Sequence, residues 1–138
     1  FRILEGNLTR IELEKSATVA TYKVPSSYGG YAEAFPTFIR RGEVGTPVDL
    51  SRAYELTKKY GDDIRVYPGS MEQRGGETYA LKSRAVCVVG VGDCLETARN
   101  VSLEGLSAVK GGALWNRTDI ASKRHIEKSV KHMEELRR

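Results

Sequence analysis

The sequence predicts an α+β domain, with a mostly antiparallel sheet flanked by helices. Three observations lead there. Apolar residues recur at helical spacing near both ends, β-branched runs bounded by turn residues lie between them, and paired glycines separate two of those runs as in a hairpin. Strands joined by hairpins rather than by repeated crossover helices argue against a parallel sheet.

Along the chain, Ile3, Leu4, Leu8 and Ile11 predict a helix from Phe1 to about Leu13 whose apolar face needs a partner. Thr18 to Val24 is rich in β-branched residues and closed by Pro25, which predicts a strand. Ser26 to Tyr31 is a loop, because Gly29-Gly30 permits backbone angles other residues avoid. Asp49 is the expected cap of a helix carrying Leu50, Ala53, Leu56 and Tyr60, stopped by Gly61. Strands are expected from Ile64 to Met71 and from Glu77 to Leu81, with Pro68 confining the first to an edge or interrupting it.

Ser83 to Val91 is the clearest strand, apolar on successive positions from Ala85 to Val89 and so expected to be covered on both faces. Asp93, with Glu96 three residues on, predicts a capped helix to about Val109 that turns Leu95, Ala98, Ser102, Gly105, Leu106 and Val109 inward. Gly111-Gly112 ends it. Ser122 opens a last helix with Ile126, Val130, Met133 and Leu136 on one side.

The 138 residues fit one compact domain, and 40% hydrophobic content supplies a core. No apolar run approaches the roughly 20 residues that span a bilayer, and no leader is recognisable at the start, so no membrane partner is expected. The start at Phe1, without Met and within a helical pattern, reads as a piece of something longer. The net charge of +4, from 22 basic and 18 acidic residues that largely alternate, is not the concentrated stripe of a nucleic-acid binder. Cys87 and Cys94 form no framework or metal pattern, which fits a reduced, cytoplasmic setting.

Little of this carries chemistry. Gly90-Val91-Gly92 lacks the third glycine of a dinucleotide loop, and Asp93 would face any phosphate, so a tight turn is the simpler explanation. His125 and His132 have no partners at ligand spacing, and neither a metal site nor a catalytic residue is expected. Two arginine sites remain, Lys82-Ser83-Arg84 and Asn116-Arg117-Thr118-Asp119. A guanidinium fork matches phosphate oxygens, but an Arg117–Asp119 ion pair, or arginines simply covering the end of the sheet, is the better explanation from the residues alone. Read from residues alone, the chain is a domain with a candidate anion site.

The same segments, in the same order, resemble a known family. Ala17-Thr18-Val19-Ala20, then Pro25 and Tyr28-Gly29-Gly30-Tyr31, resemble the strand and Gly-Tyr-Pro-Gly loop of glycinamide ribonucleotide synthetases (phosphoribosylamine–glycine ligases). Ser83 to Gly90, followed by Leu95-Glu96-Thr97-Ala98, resembles their Gly-Gly-Arg-Val strand and the helix after it. Trp115-Asn116-Arg117-Thr118-Asp119-Ile120-Ala121 resembles their Tyr-Arg-x-Asp-Ile-Gly signature, and the last helix resembles the archaeal branch. Gly29 stands for the loop proline, Lys82-Ser83 for the paired glycines, and Ala121 for the final glycine.

The resemblance implies that residues 1–16 end an ATP-grasp subdomain and that residues 17–138 form the C-terminal domain of such a ligase, of rudimentary hybrid-motif type. The complete enzyme would bind ATP with magnesium or manganese, phosphorylate glycine, and let phosphoribosylamine attack the acyl phosphate in purine biosynthesis. Its N-terminal and ATP-grasp domains would be the partners of this chain, which alone is expected to bind no cofactor and to be inactive. By the same resemblance Arg117, Arg84 and Lys82 are phosphate candidates, and Tyr28, Gly29, Gly30, Tyr31 and Asp119 line the cleft. A stand-alone binding module for a phosphorylated metabolite and a pure interaction domain are the alternatives.

Overall fold

The computed structural model describes residue 6, residues 16–28 and residues 41–137. The helix expected from Phe1 to Leu13 and the loop residues Gly29, Gly30 and Tyr31 lie outside the described residues. The domain is α+β, and its main sheet is antiparallel throughout. Strands β1 (Ala17–Pro25), β2 (Ile64–Pro68), β5 (Val86–Gly92) and β6 (Leu114–Trp115) are ordered β2-β5-β1-β6. The short strands β3 (Met71–Arg74) and β4 (Glu77–Ala80) form a separate hairpin. Its two-residue turn, Gly75-Gly76, has both φ angles positive, at 57° and 85°, which suits the twist of paired strands.

Strand period and register together decide which residues are buried. Val19 and Thr21 on β1, Val86, Val88 and Gly90 on β5, and Ile64 and Val66 on β2 share one face. Helix α3 (Leu95–Ala108) covers that face with Ala98, Val101, Ser102, Gly105 and Leu106. The approach is very close. A Cβ on Gly90 would fall 2.0 Å from the Ala98 carbonyl oxygen, and one on Gly105 would fall 2.6 Å from Val88 Cγ1. Gly92 would likewise meet Ala98 N at 2.9 Å. Gly90 and Gly92 therefore serve helix–sheet packing within β5, not the tight turn expected of Gly90-Val91-Gly92, and Gly105 serves the same packing from α3.

The one buried polar group on the described face of α3 is satisfied. Ser102 Oγ donates to the Val88 carbonyl at 2.7 Å. With its proton so committed, it accepts from Thr21 Oγ1 at 2.5 Å. Helix, central strand and β1 are thus tied by one short chain of hydrogen bonds in the dry interior, where leaving any member unpaired would cost about 1–3 kcal/mol.

Several expectations are corrected. Cys87 and Val89 on the far face of β5 are only half-buried, so the strand is fully covered on one side. The strand expected to reach Met71 ends at Pro68, because proline offers no donor and Gly69 turns the chain. A Cβ at Gly69 would meet the Arg84 carbonyl at 2.7 Å. Cys94, not Asp93, stands at the N-terminal boundary of α3, which puts Thr97 where the capping box needs Glu96, and no box forms. Leu95 is exposed and Val101 buried, the reverse of the expected assignment.

The helix after Asp49 is broken at Leu56 into α1 (Ser51–Glu55) and α2 (Thr57–Tyr60), although Asp49 does accept hydrogen bonds from Ser51 N and Oγ at 2.8 and 2.6 Å. Helix α4 (Lys123–Leu136) begins as expected, Ser122 accepting from His125 N at 3.2 Å. Among the described residues its side chains Val130, Met133 and Leu136 are exposed, whereas Ile126 on the same stripe is half-buried. No described helix is long and apolar enough to cross a membrane.

Val88 is fully buried under α3. Val88→Ala should cost about 1–3 kcal/mol through lost burial and an incompletely relaxed cavity. Gly90→Ala should cost more, because its methyl group meets helix backbone that cannot rotate away. Chemical-denaturation midpoints of both variants check the order; Gly90→Ala at wild-type stability would disprove the close approach.

Candidate functional site

Where β1 ends against β6, the chain makes a cleft of about 410 Å³. Pro25 organises its floor. Its carbonyl accepts from Tyr28 N at 3.0 Å, closing a turn, and from the Trp115 indole Nε1 at 3.3 Å. Trp115, cross-strand from Val24, is buried and forms the base. Tyr22, Tyr28, Arg84, Arg117 and Ile120 form the walls. Of the residues singled out in the sequence, the structure brings Arg84, Arg117 and Tyr28 together here. Lys82 lies outside the lining on an exposed connection, and Asp119 lies behind Arg117 in a neighbouring groove with His125 and His132. Tyr22, Trp115 and Ile120 were not singled out as site residues; Tyr22 had one available signal, its place on the outward register of β1.

The two arginines are held differently. Arg84 lies over two rings, 5.4 Å from the centroid of Tyr22 and 5.7 Å from that of Tyr28. Such contacts orient a guanidinium without using its N–H donors. Among the described residues no carboxylate pairs with it. Its backbone is fixed too, since Ser70 N donates to its carbonyl at 2.8 Å and the following Ala85 N donates to Lys23 O at 2.9 Å. Arg117 instead spends one edge of its fork on Asp119, with Nε to Oδ1 at 2.8 Å and Nη2 to Oδ2 at 2.6 Å. The ion pair weighed from the sequence is present, and Arg117 still faces the cleft.

Electrostatics follow from these contacts. The Arg117 hydrogen bonds hold the Asp119 carboxyl below the usual aspartate range, against an opposing push from partial burial. Across the strand pair, the Cys87 side chain raises the Tyr22 phenol, and burial raises the Cys87 thiol, which keeps both neutral. The cleft therefore presents fixed positive charge on a largely aromatic and aliphatic surface. That combination can hold an anionic group at the arginines while an adjoining uncharged body lies on Trp115 and Ile120.

Behind the cleft, Arg99 of α3 reaches the loop that carries Arg117. Its Nε donates to the Ile120 carbonyl at 3.1 Å and its Nη2 to the Thr118 carbonyl. Sequence reasoning missed Arg99, which stands mid-helix with no motif around it. The loop then turns through Ala121 at a left-handed φ of 56° before Ser122 caps α4. Alanine is strained there, and this is the position at which the related signature carries glycine.

The described residues thus define a small α+β domain with an arginine-bearing cleft at the edge of its sheet. No protein-family model matches the sequence. Individual curated proteins do match it. It is 34% identical over 137 residues to the phosphoribosylamine–glycine ligase of Methanocella arvoryzae, covering 98% of this chain and 27% of that protein. It is 36% identical over 128 residues to that of Methanocaldococcus jannaschii, with 93% and 26% covered. Against that of Thermococcus gammatolerans it is 32% identical over 136 residues, with 97% and 26% covered. The chain is thus similar over nearly its whole length to these phosphoribosylamine–glycine ligases, and it spans about a quarter of their length.

Two changes test the Arg117 loop. Ala121→Gly should raise stability by about 1 kcal/mol, since it removes left-handed strain at some cost in chain entropy; a lower thermal midpoint would refute the strain. The Asp119 carboxyl has a depressed folded pKa, so its stabilisation is present above the ordinary aspartate value of about 3.9 and is lost as pH falls through the lower folded value. Asp119→Asn should therefore flatten the acid limb of a melting-temperature series below about pH 4. An unchanged acid limb would show that the pair contributes nothing.

Proposed function

We propose that this chain is the C-terminal domain of an ATP-dependent ligase that joins glycine to 5-phosphoribosylamine in purine biosynthesis, with residues 17–138 as the domain and residues 1–16 as the end of the ATP-grasp subdomain before it. The observation that carries the reading is the juxtaposition of Arg84 and Arg117 over an aromatic floor, in a chain related over nearly its whole length to such ligases. Arg84, oriented by two rings and without a carboxylate partner among the described residues, takes the 5-phosphate of phosphoribosylamine. Arg117 adds the second charge, and Tyr28 and Trp115 border the sugar. A phosphate held at one end positions the amine at the other for attack on an activated glycine, so binding at a distance becomes alignment of the reacting atoms.

ATP and magnesium or manganese belong, on this reading, to the rest of the polypeptide. Among the described residues no three His, Cys, Asp or Glu side chains come together to hold a metal ion. The glycine-rich strand end, Gly90-Val91-Gly92, is packed against the backbone of α3 at Gly90 and Gly92. The N-terminal and ATP-grasp domains of the same enzyme would therefore supply the acyl phosphate, in a cytoplasmic protein. A stand-alone binding module is the less favoured reading, because the relatives from Methanocella, Methanocaldococcus and Thermococcus are all named as the ligase.

In the complete enzyme, Arg84→Ala should raise the KM for phosphoribosylamine by roughly 10- to 100-fold, the value of a lost charged hydrogen bond, while the KM values for ATP and glycine hold. Arg117→Lys keeps the charge but not the fork, and should raise the same KM with some loss of melting temperature. A folded Arg84→Ala enzyme with unchanged phosphoribosylamine kinetics would remove the phosphate site.

A further inference from the structure

We propose that Arg99 is a positioning residue for the anion cleft, setting where Arg117 stands opposite Arg84; the inference rests on the phosphate-site reading above. Three observations lead to it. Arg99 projects from α3 between Ala98 and the Val101-Ser102 pair, all buried against the sheet, so its base is as rigid as the core. Its planar head spans two carbonyls of a single loop, Thr118 and Ile120, which flank Asp119. The backbone of that loop, for its part, adds a short-range bond from Ser122 N to the Asp119 carbonyl at 2.9 Å and passes through a strained Ala121. Neither of these ties the loop to the sheet or to α3, whereas Arg99 does.

The geometry makes Arg99 a connection between the packed core and the cleft, beside the pairing of Trp115 with β1 at the start of the loop. Arg84 is fixed from the opposite direction, through backbone bonds to Ser70, ahead of the hairpin, and at Lys23 of β1. The separation of the two cleft arginines therefore depends on anchors on both sides; on the Arg117 side the β6 pairing holds the start of the loop, and Arg99 holds the part that follows Arg117. Arg99 itself does not line the cleft, and both its bonded nitrogens face loop carbonyls. A lysine offers one compact head in place of a planar fork and cannot hold both carbonyls in the same geometry. Displacing the loop by even about 1 Å would weaken binding of a phosphate monoester, which needs both cations at once.

The test is a double-mutant cycle in the complete polypeptide, read as ribose 5-phosphate affinity by calorimetry beside a melting curve for each variant. Arg99→Lys should weaken binding about tenfold in the otherwise unaltered protein, yet change it little when Arg117 is already alanine, because the effect is transmitted through Arg117. Arg99→Gln, which keeps one donor, supplies the same comparison should Arg99→Lys fail to fold. Equal losses in both backgrounds would overturn the proposal, as would a lowered melting temperature with affinity unchanged. Those outcomes leave the phosphate site standing. Absence of ribose 5-phosphate binding in the unaltered protein would overturn the site itself, and the role of Arg99 with it.

Discussion

The architecture of this domain hangs on how closely α3 lies on β5. Ordinary side chains would keep a helix and a sheet about 10 Å apart, as residues on both surfaces interdigitate. Here Gly90, Gly92 and Gly105 remove the spacers at the crossing, so that β5 backbone comes against helix backbone at Gly90 and Gly92, and Val88 and Ile64 come against the helix at Gly105. Ser102 can then reach the Val88 carbonyl and accept from Thr21, which locks helix, central strand and β1 in one register. The arrangement trades apolar volume for proximity and directional bonds. Its tolerance for change is correspondingly small.

That proximity is what gives the cleft its shape. β1 lies beside β5, and its last residues turn at Pro25 to receive Trp115 from β6. The next residue along the helix from Ala98 is Arg99, whose head holds the loop bearing Arg117. Arg84 sits at the entry to β5, over tyrosines from β1 and the turn after it. The site is thus assembled from segments spread over more than ninety residues of sequence, each positioned by the same packed interface. Charge is then divided between two arginines with different duties. One is free to meet an anion; the other is half committed to Asp119, which keeps it oriented at the loop.

Much of the fold was legible because local physics and tertiary context agreed. The β-branched run of β1, the glycine pair of the β3–β4 turn, the serine cap of α4 and the buried alternation of Val86 and Val88 all have single strong explanations. Misreadings cluster where neighbours decide. Leu95 and Val101 exchange places because the direction in which α3 leaves β5 fixes its inward face, and that direction is not a property of the helix sequence. Gly69 is required because the backbone of Arg84 lies against it, a contact between segments that the local sequence does not reveal. Gly90 and Gly92 resemble turn residues in sequence and are packing residues in space.

For the site, the residues alone could say that arginine forks near a strand and a loop suit an anion, and that Arg117 and Asp119 are close enough to pair. Both statements follow from short-range chemistry. The sequence also determined the kinship, since order and spacing of motifs survive along a chain without reference to its folding. It could not say that Arg84 and Arg117, thirty-three positions apart, share one cleft, that Lys82 is turned away from it, or that Arg99 supports it. Those facts depend on which surfaces meet once α3 closes on the sheet. Long-range geometry of that kind is decided by the packing of the whole core, and no single segment encodes it.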